Sequence, residues 1–280
     1  MSRALRCLIV LAGLSLAPMH AEDSVRYQMP AETFTKVSAR EQAAITAAIC
    51  DGTAEGTRCD TCPESTPEAS GGFTLKDLFV GHFLTPHSTD ALVTVSGCEE
   101  RHASIGWGFL VTRRAGVWEA HGDMLGLELG HCHAMQFRSG RQFLVCEGYG
   151  MESFQLMHGV NVVFGKGGSI GFRNLLTATD TTRLCDAQSR VQAAQIDKIE
   201  FGDLNGDGVE DVSFTASFGA MRDSKRRRDL CQEAQDRKPG TPGPGPSVMK
   251  TYRIKYLFDG ERFTLTKESE AAAKLFRWEN

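Results

Sequence analysis

The stretch FGDLNGDGVEDVSF, residues 201–214, carries oxygen-bearing groups at alternate positions, a spacing that can surround a metal ion. The predicted ligands, with Val209 contributing its backbone carbonyl, are Asp203, Asn205, Asp207, Val209 and Asp211. Gly208 follows the third ligand, where the chain must turn sharply without a Cβ atom. Six or more oxygen ligands at flexible geometry suit Ca²⁺, whereas Mg²⁺ requires stricter octahedral geometry. The sequence therefore predicts a calcium site; the alternative is an Asx-rich turn without an ion.

An EF-hand shares the opening of this pattern but differs from it in two respects. Its twelfth position must be Glu, and this chain has Phe214 there. Its loop is flanked by helices, whereas both flanks here alternate like strands. Carboxylates this close together repel one another without a counter-ion, which favours calcium over the empty turn. With all five groups committed to the ion, little coordination is left for a substrate, so a structural role is expected.

The elements that position this loop are predicted to be strands. Short runs rich in β-branched and aromatic residues are separated by Gly, Asp, Ser or Pro. They are FTLKDLFVGHF, DALVTVSGC, GWGFLVTRR, RQFLVCEGY, SFQLMHGVNVVF, QIDKIEFGDL, DVSFTASF, TYRIKYLFDG and ERFTLTK. One helix is expected in SAREQAAITAAIC, where Ser38 and Glu41 form a capping box, and AAAKLF predicts another short helix. An all-β fold with a short N-terminal helix is thus expected.

Internal repeats favour a propeller-like arrangement, either partial or small. Aligning residues 81–97 with 202–219 matches Gly81 with Gly202 and Asp90 with Asp211. A Gly turn that leads to an aromatic residue recurs in AGVW (115–118), SGRQF (139–143) and DGERF (259–263). Each is predicted to be a hairpin turn followed by the last strand of an antiparallel unit. The three units are expected at about 75–120, 130–165 and 195–267.

The loop DLNGDGVED, with Phe201-Gly202 before it and a strand after it, resembles the calcium loop of FG-GAP/VCBS-type repeats. Such repeats occur in integrin-type β-propellers and bacterial surface proteins, where the loop joins two strands of one blade. The resemblance implies one Ca²⁺ held by Asp203, Asn205, Asp207, Asp211 and the carbonyl of Val209. In the aligned segment the first three ligands are replaced by His82, Leu84 and Pro86, so no metal is expected there.

The N-terminus has the layout of a cleaved secretory signal over residues 1–21. Arg3 and Arg6 precede an apolar run that is too short to span a bilayer, and the cut is expected after Ala21. The expected organisation is a signal peptide (1–21), an N-terminal helix with a Cys-rich loop (22–70) and a β-repeat domain (71–280). A secreted or periplasmic location without membrane insertion follows.

Charge argues against nucleic acid as a partner. Removal of residues 1–21 takes away two arginines and no acid, which changes the net charge from −4 to −6. A mildly acidic chain does not favour nonspecific binding to nucleic acid or to anionic membranes. The basic run Lys225–Arg228 is the exception, and it is interpreted as a solvated loop.

Eight cysteines follow Cys7, and an even number in an exported chain predicts disulfides. Cys132–Cys146 is the first expected pair because these residues flank a predicted hairpin, and Cys185–Cys231 is the second. CDTC, with Cys59 and Cys62, is compatible with a redox pair or half a zinc site. Neither a following helix nor a second CxxC supports those alternatives, so structural disulfides are favoured.

Other candidates carry weaker signals. His131 and His133 lie on one face of a strand and suit zinc, but partly exposed histidines beside a disulfide are the preferred interpretation. Trp118 is expected in the core, and Trp107, between two glycines, is expected to be exposed. GKGGSIG (165–171) lacks the P-loop spacing and is interpreted as a turn.

These observations favour a non-enzymatic exported protein, stabilised by calcium, that binds a protein or a glycan. The first alternative is an exported hydrolase on the same β scaffold, with a site built from loops. The second is a thiol-redox or zinc protein that uses Cys59 and Cys62. An enzyme should have a deep pocket with convergent titratable groups, whereas a binding module should have a shallow or aromatic-lined surface.

Overall fold

The structure, a computed structural model, describes residues 37–62, 71–98, 107–125, 131–152, 155–185 and 190–276. The predicted signal peptide and Trp278 lie outside these ranges. The described chain forms three antiparallel β-sheets with a short N-terminal helix, which confirms the predicted all-β class. No helix in the described ranges has the length and apolar character needed to cross a bilayer.

Each sheet follows chain order, so each is an up-and-down meander. The first contains β1 (Ala54–Glu55), β2 (Arg58–Cys59), β3 (Phe73–Gly81), β4 (Asp90–Ser96), β5 (Trp107–Arg114) and β6 (Val117–Leu125). The second contains β7 (His131–Gln136), β8 (Gln142–Glu152), β9 (Gln155–Lys166) and β10 (Ser169–Asp180). The third contains β11 (Arg190–Gly202), β12 (Asp211–Arg222), β13 (Lys250–Phe258) and β14 (Phe263–Leu265).

The recurring glycine turns have two different positions in these sheets. AGVW joins β5 to β6 and DGERF joins β13 to β14, so both precede the last strand of a sheet, as predicted. SGRQF instead joins β7 to β8, the first two strands of the second sheet, and the prediction for that turn is wrong. The turn residues fix a tight reversal, but they carry no information about which pair of strands is being joined.

Helix α1 (Ala39–Ile49) begins where the capping residues predict. The Ser38 side chain accepts a hydrogen bond from the backbone N–H of Glu41 at 3.2 Å. Ile45 and Ile49 are buried against the first sheet. The predicted C-terminal helix is α3 (Glu270–Ala273), which lies between the short 3₁₀ segments Lys267–Ser269 and Lys274–Phe276.

The basic run 225–228 begins helix α2 (Lys225–Arg237), so its interpretation as a solvated loop is wrong. Ser224 caps this helix, and Arg227 is only 2% exposed. The Arg227 guanidinium donates hydrogen bonds to three backbone carbonyls, those of Thr182, Leu184 and Pro244. A guanidinium can be buried when several acceptors satisfy its donors, and composition alone does not reveal such acceptors.

All eight cysteines after Cys7 form disulfides. The pairs are Cys50–Cys59, Cys62–Cys98, Cys132–Cys146 and Cys185–Cys231. Both predicted pairs are therefore confirmed. Cys59 and Cys62 bond to different partners, which leaves CDTC with no thiol for redox chemistry or zinc. With β2 paired to β3, the first two bridges attach the Cys-rich segment to the first sheet.

Three clusters of apolar side chains form the core. One lies between the second and third sheets, one between α1 and the first sheet, and one between the first and second sheets. Trp118 is buried, as predicted. Trp107 is also buried, at 7% exposure, so the prediction that it is exposed is wrong. Its place in β5 directs it into the core, where its indole N–H donates to the Asp123 carboxylate at 3.1 Å.

Candidate functional site

The predicted calcium loop joins β11 to β12 and is held by a buried carboxylate at its end. Asp211 pairs with Gly202 across the two strands and is fully buried. One Asp211 oxygen accepts the backbone N–H of Leu204 at 2.9 Å, and the other accepts that of Phe258 at 2.7 Å. Asp211 therefore connects the loop both to its own hairpin and to the end of β13.

Asp203 organises the exposed half of the loop. Its Oδ1 accepts the backbone N–H groups of Gly206 at 2.6 Å and Asp207 at 3.1 Å, and its Oδ2 accepts that of Gly208 at 2.8 Å. These bonds, with that from Gly208 the largest contribution, lower the pKa of Asp203 below its ordinary value. The carboxylate therefore stays ionised into acidic solution.

The two glycines supply backbone conformations that other residues adopt at a cost. Gly206 and Gly208 have φ of +81° and +82°, in the left-handed region. They allow three consecutive N–H groups, those of residues 206–208, to point at the Asp203 carboxylate. The loop backbone is thus already folded around a negative charge.

The remaining predicted ligands bond to one another. The Asn205 side-chain oxygen accepts the backbone N–H of Asp207 at 3.1 Å, and its amide nitrogen donates to the Asp207 carboxylate at 2.9 Å. The second Asp207 oxygen accepts the N–H of Val209 at 2.8 Å. Because a carboxylate oxygen has two acceptor directions, these bonds leave room for a cation on the same atoms.

The chemistry of the ligand set suits calcium, but its carboxylates are not gathered at one point. Among the described residues, the one set of three His, Cys, Asp or Glu side chains with ligand atoms within 4.8 Å of one another is Cys50, Cys59 and Asp60. The two cysteines of that set are bonded to each other and are not free to bind metal. Calcium binding at residues 203–211 stays a prediction. It requires the carboxylates of the loop to move toward one another, around a common point.

Glu210 attaches the loop to the second sheet. Its carboxylate lies 2.7 Å from Nε2 of His133, and the His133 ring stacks on Phe201 with centroids 3.8 Å apart. His133 is buried, so the expectation that both histidines are partly exposed is wrong for it. The outcome differs because Phe201 and Glu210, which cover His133, come from another sheet and are distant in sequence.

The aligned loop, residues 82–89, has the same frame. Gly81 pairs with Asp90, as Gly202 pairs with Asp211, and both aspartates are fully buried. The first strand of each hairpin also has a register shift at the aligned place, between Leu75 and Asp77 in β3 and between 196 and 198 in β11. A shared bulge at a shared position indicates a true structural repeat.

A cavity of about 330 Å³ lies where the second and third sheets meet. Its apolar wall contains five phenylalanines: Phe137, Phe143, Phe164, Phe258 and Phe263. Sequence reasoning did not identify it. The sequence signal that could have pointed to the cavity is the glycine turn followed by an aromatic residue, in SGRQF and DGERF. These two turns meet at the cavity, where the N–H of Arg138 donates to the carbonyl of Gly260 at 2.7 Å.

A second group that sequence reasoning missed is the buried pair Glu147 and His158. His158 Nε2 lies 3.2 Å from one Glu147 oxygen, and the other oxygen is buried without a hydrogen-bond partner among the residues that the structure describes. The Tyr149 ring stacks on His158 with centroids 4.3 Å apart and is 40% exposed. The pair lies on β8 and β9, and no sequence motif marks it because its members are cross-strand neighbours.

Comparison with known proteins assigns the chain to no family. No protein-family model matches it, and no curated protein matches it significantly.

Proposed function

We propose that this chain is an exported β-repeat protein, stabilised by calcium, that acts as a binding module for a protein or glycan ligand. The calcium loop is proposed to be of the FG-GAP/VCBS type. The observation that carries the proposal is the complete ligand register from Asp203 to Asp211, set between paired strands rather than helices. Four disulfides in the described chain support export, because such bonds persist in oxidising compartments.

The loop has a structural position rather than a catalytic one. Asp211 bonds to the backbone N–H of Phe258, and the Phe258 ring forms part of the cavity wall. Calcium at this loop would therefore stabilise the end of β13 and, with it, one side of the cavity. This geometry supports a role for the ion in holding a binding surface.

The lining of the cavity favours a binding module over an enzyme. Its walls are aromatic, and Glu261 is the single carboxylate among its lining residues. Active sites usually bring several titratable groups together at the reacting atoms, whereas this lining has one carboxylate among aromatic side chains. The four other charged groups of the lining are arginine and lysine, whose N–H donors suit anions.

Calcium titration by calorimetry tests the calcium part of this proposal. The wild-type protein is expected to bind one Ca²⁺ per chain, and Asp207→Ala is expected to lose binding. Asp229→Ala, which removes an exposed acid on α2, should bind like the wild type. Absence of calcium binding by the wild type, or equal binding by Asp207→Ala, would contradict the assignment.

One observation favours the second candidate function, an exported hydrolase. Glu147 is buried beside His158 and, within the described ranges, one of its oxygens has no hydrogen-bond partner, so a carboxylate and an imidazole lie together as at many hydrolytic sites. If this pair is catalytic, hydrolysis of p-nitrophenyl esters by the wild type should be detectable and should be lost in Glu147→Gln. Equal background rates for both proteins would remove this candidate.

A further inference from the structure

We propose that the cavity between the second and third sheets binds a small organic anion with a flat aromatic body, such as an aromatic carboxylate. This inference rests on the proposed role as a binding module and names the chemical class of the ligand. A volume of about 330 Å³ falls at the lower end of the range for small-molecule sites, which suits one or two fused rings.

The wall of the cavity is preformed for a flat ring. Phe143 is fully buried and contacts Phe137 and Phe258, with ring centroids 4.5 and 5.2 Å away. Phe258 also packs on Phe263 at 4.8 Å. These tilted and edge-to-face contacts support the two partly exposed rings of the lining, Phe137 and Phe164, whose centroids lie 6.5 Å apart. Because the buried rings hold these two in place, little ordering is required when a ligand ring packs against them.

Four cations surround this apolar wall: Arg141, Lys166, Arg173 and Arg262. With Glu261 as the single lining carboxylate, the cavity has a formal charge of +3 in a chain whose net charge is −4. Positive groups concentrated at an apolar cavity in an acidic protein select anions by charge complementarity.

Three of these cations form no ion pair with the described residues. Arg141 lies over the Phe137 ring, 5.1 Å from its centroid, and donates to the carbonyl of Gly165 at 3.3 Å. Arg173 donates to the carbonyl of Phe263 at 3.5 Å. Lys166 is exposed at the end of β9. Each retains donors for a carboxylate, and a planar guanidinium can bind both carboxylate oxygens.

Arg262 differs from the other three because it already has a partner. It lies 3.5 Å from Asp259 in the same turn. Backbone hydrogen bonds from residues 262 and 261 lower the pKa of Asp259, which keeps that partner ionised. The free positive charge is therefore concentrated on the side of the cavity formed by the second sheet, and the ligand carboxylate is expected there.

The test uses three probes that share one ring system and differ in charge: 2-naphthoate, 2-naphthylmethanol and 2-naphthylmethylammonium. Each is titrated by calorimetry into the full-length wild-type protein at saturating calcium. We expect 2-naphthoate to bind about tenfold or more tightly than the alcohol, because charge-assisted hydrogen bonds are the strong ones. The ammonium probe should bind weakest. Equal affinity for the three probes would overturn the proposal.

The key variant is the double substitution Lys166→Gln/Arg173→Gln, at two exposed side chains whose removal should leave the fold intact. It is expected to remove most of the preference for naphthoate over the alcohol. Lys225→Gln/Arg226→Gln removes one exposed lysine and one exposed arginine from α2 and serves as the matched control. An unchanged preference in the first variant, or an equal loss in the control, would contradict the assignment.

Calcium binding is measured on the same samples, so the two proposals fail separately. Calcium binding without a preference for naphthoate overturns the cavity assignment and leaves the calcium site standing. Naphthoate binding that is sensitive to Lys166→Gln/Arg173→Gln supports the cavity assignment even where no calcium binds, and in that case the calcium assignment is wrong.

Discussion

The loops at 82–89 and 203–210 occupy the same place in two repeats and are closed by different chemistry. In the first, the Asp90 carboxylate accepts hydrogen bonds from the N–H of Leu84 and from the hydroxyls of Ser88 and Thr112. In the second, Asp211 accepts two backbone N–H groups and no hydroxyl. The two loops share the paired glycine and buried aspartate, but the groups that donate hydrogen bonds to the aspartate differ.

This difference predicts which of the two loops responds to a cation. The loop 82–89 contains no carboxylate, and Thr85 and Ser88 close it by mutual hydrogen bonds of 3.0 Å. The loop 203–210 contains three, Asp203, Asp207 and Glu210, in addition to the buried Asp211 that follows it. Glu210 already lies against His133, so a bound cation would offset the charge of the other three carboxylates, Asp203, Asp207 and Asp211. We therefore expect the first loop to be indifferent to calcium and the second to require it.

The largest expected effect is the loss of a buried aspartate from either repeat. Asp211→Ala leaves the buried N–H of Phe258 and the part-buried N–H of Leu204 without acceptors, and Asp90→Ala leaves one N–H and two hydroxyls. Each substitution is expected to lower the free energy of unfolding by about 3 kcal/mol. Urea unfolding in calcium and in EDTA separates the two: only Asp211→Ala should also abolish the response to calcium. A calcium response retained by Asp211→Ala would contradict the comparison.

The next effect concerns the glycines that only the second loop requires. Gly208→Ala forces a side chain into a left-handed conformation and should cost about 1–2 kcal/mol. Gly202→Ala is the matched control, because Gly202 has no positive φ and an added Cβ atom meets open space. Thermal unfolding of both variants in EDTA checks the prediction. Equal losses of stability in the two variants would show that the left-handed backbone at Gly208 does not cause the loss.

A smaller effect is expected in the first loop. Ser88→Ala removes a hydroxyl that donates to Asp90 and accepts the exposed N–H of Thr85, and it should lower the free energy of unfolding by about 1 kcal/mol, equally in calcium and in EDTA. Urea unfolding in the two buffers measures this. A loss that appears only in one buffer would indicate that the first loop also responds to the ion.

The smallest effect is a pH dependence in the second loop. The pKa of Asp203 is lower when the chain is folded, so its ionised form contributes stability that is present above about pH 4 and is lost as the pH falls through the folded value. In EDTA, the stability difference between wild type and Asp203→Asn should therefore shrink on acidification. Asp229→Asn, on α2, controls for removal of a surface charge. A constant difference from neutral to acidic pH would contradict the role of Asp203.

The elements of this fold could be predicted where local chemistry decides them. The Ser38 cap and the pairing of Gly81 with Asp90 and of Gly202 with Asp211 depend on neighbouring residues, and each is found in the structure. Disulfide pairs that bracket one hairpin or one segment could be inferred for the same reason.

The predictions of side-chain exposure were wrong where a residue distant in sequence covers the side chain. Arg227 is buried by carbonyls up to 45 residues away, His133 is covered by Phe201 and Glu210, and Trp107 meets Asp123 on the next strand. The cavity lies between turns more than 100 residues apart in sequence. The turn pattern therefore indicated some of its aromatic residues but could not predict that the turns lie side by side.

An exchange of the two loops, which are both eight residues long, tests most directly whether residues 203–210 make the protein respond to calcium. The wild type at a calcium concentration of about 100 times its Kd should gain about 2.7 kcal/mol over the protein in EDTA. A gain of that size corresponds to a rise in melting temperature of about 5–11 °C for a chain of this length. A chimera that carries HFLTPHST in place of DLNGDGVE should fold with the same melting temperature in both buffers. A chimera whose melting temperature still rises with calcium, or a wild type whose melting temperature does not, would contradict the assignment of calcium to residues 203–211.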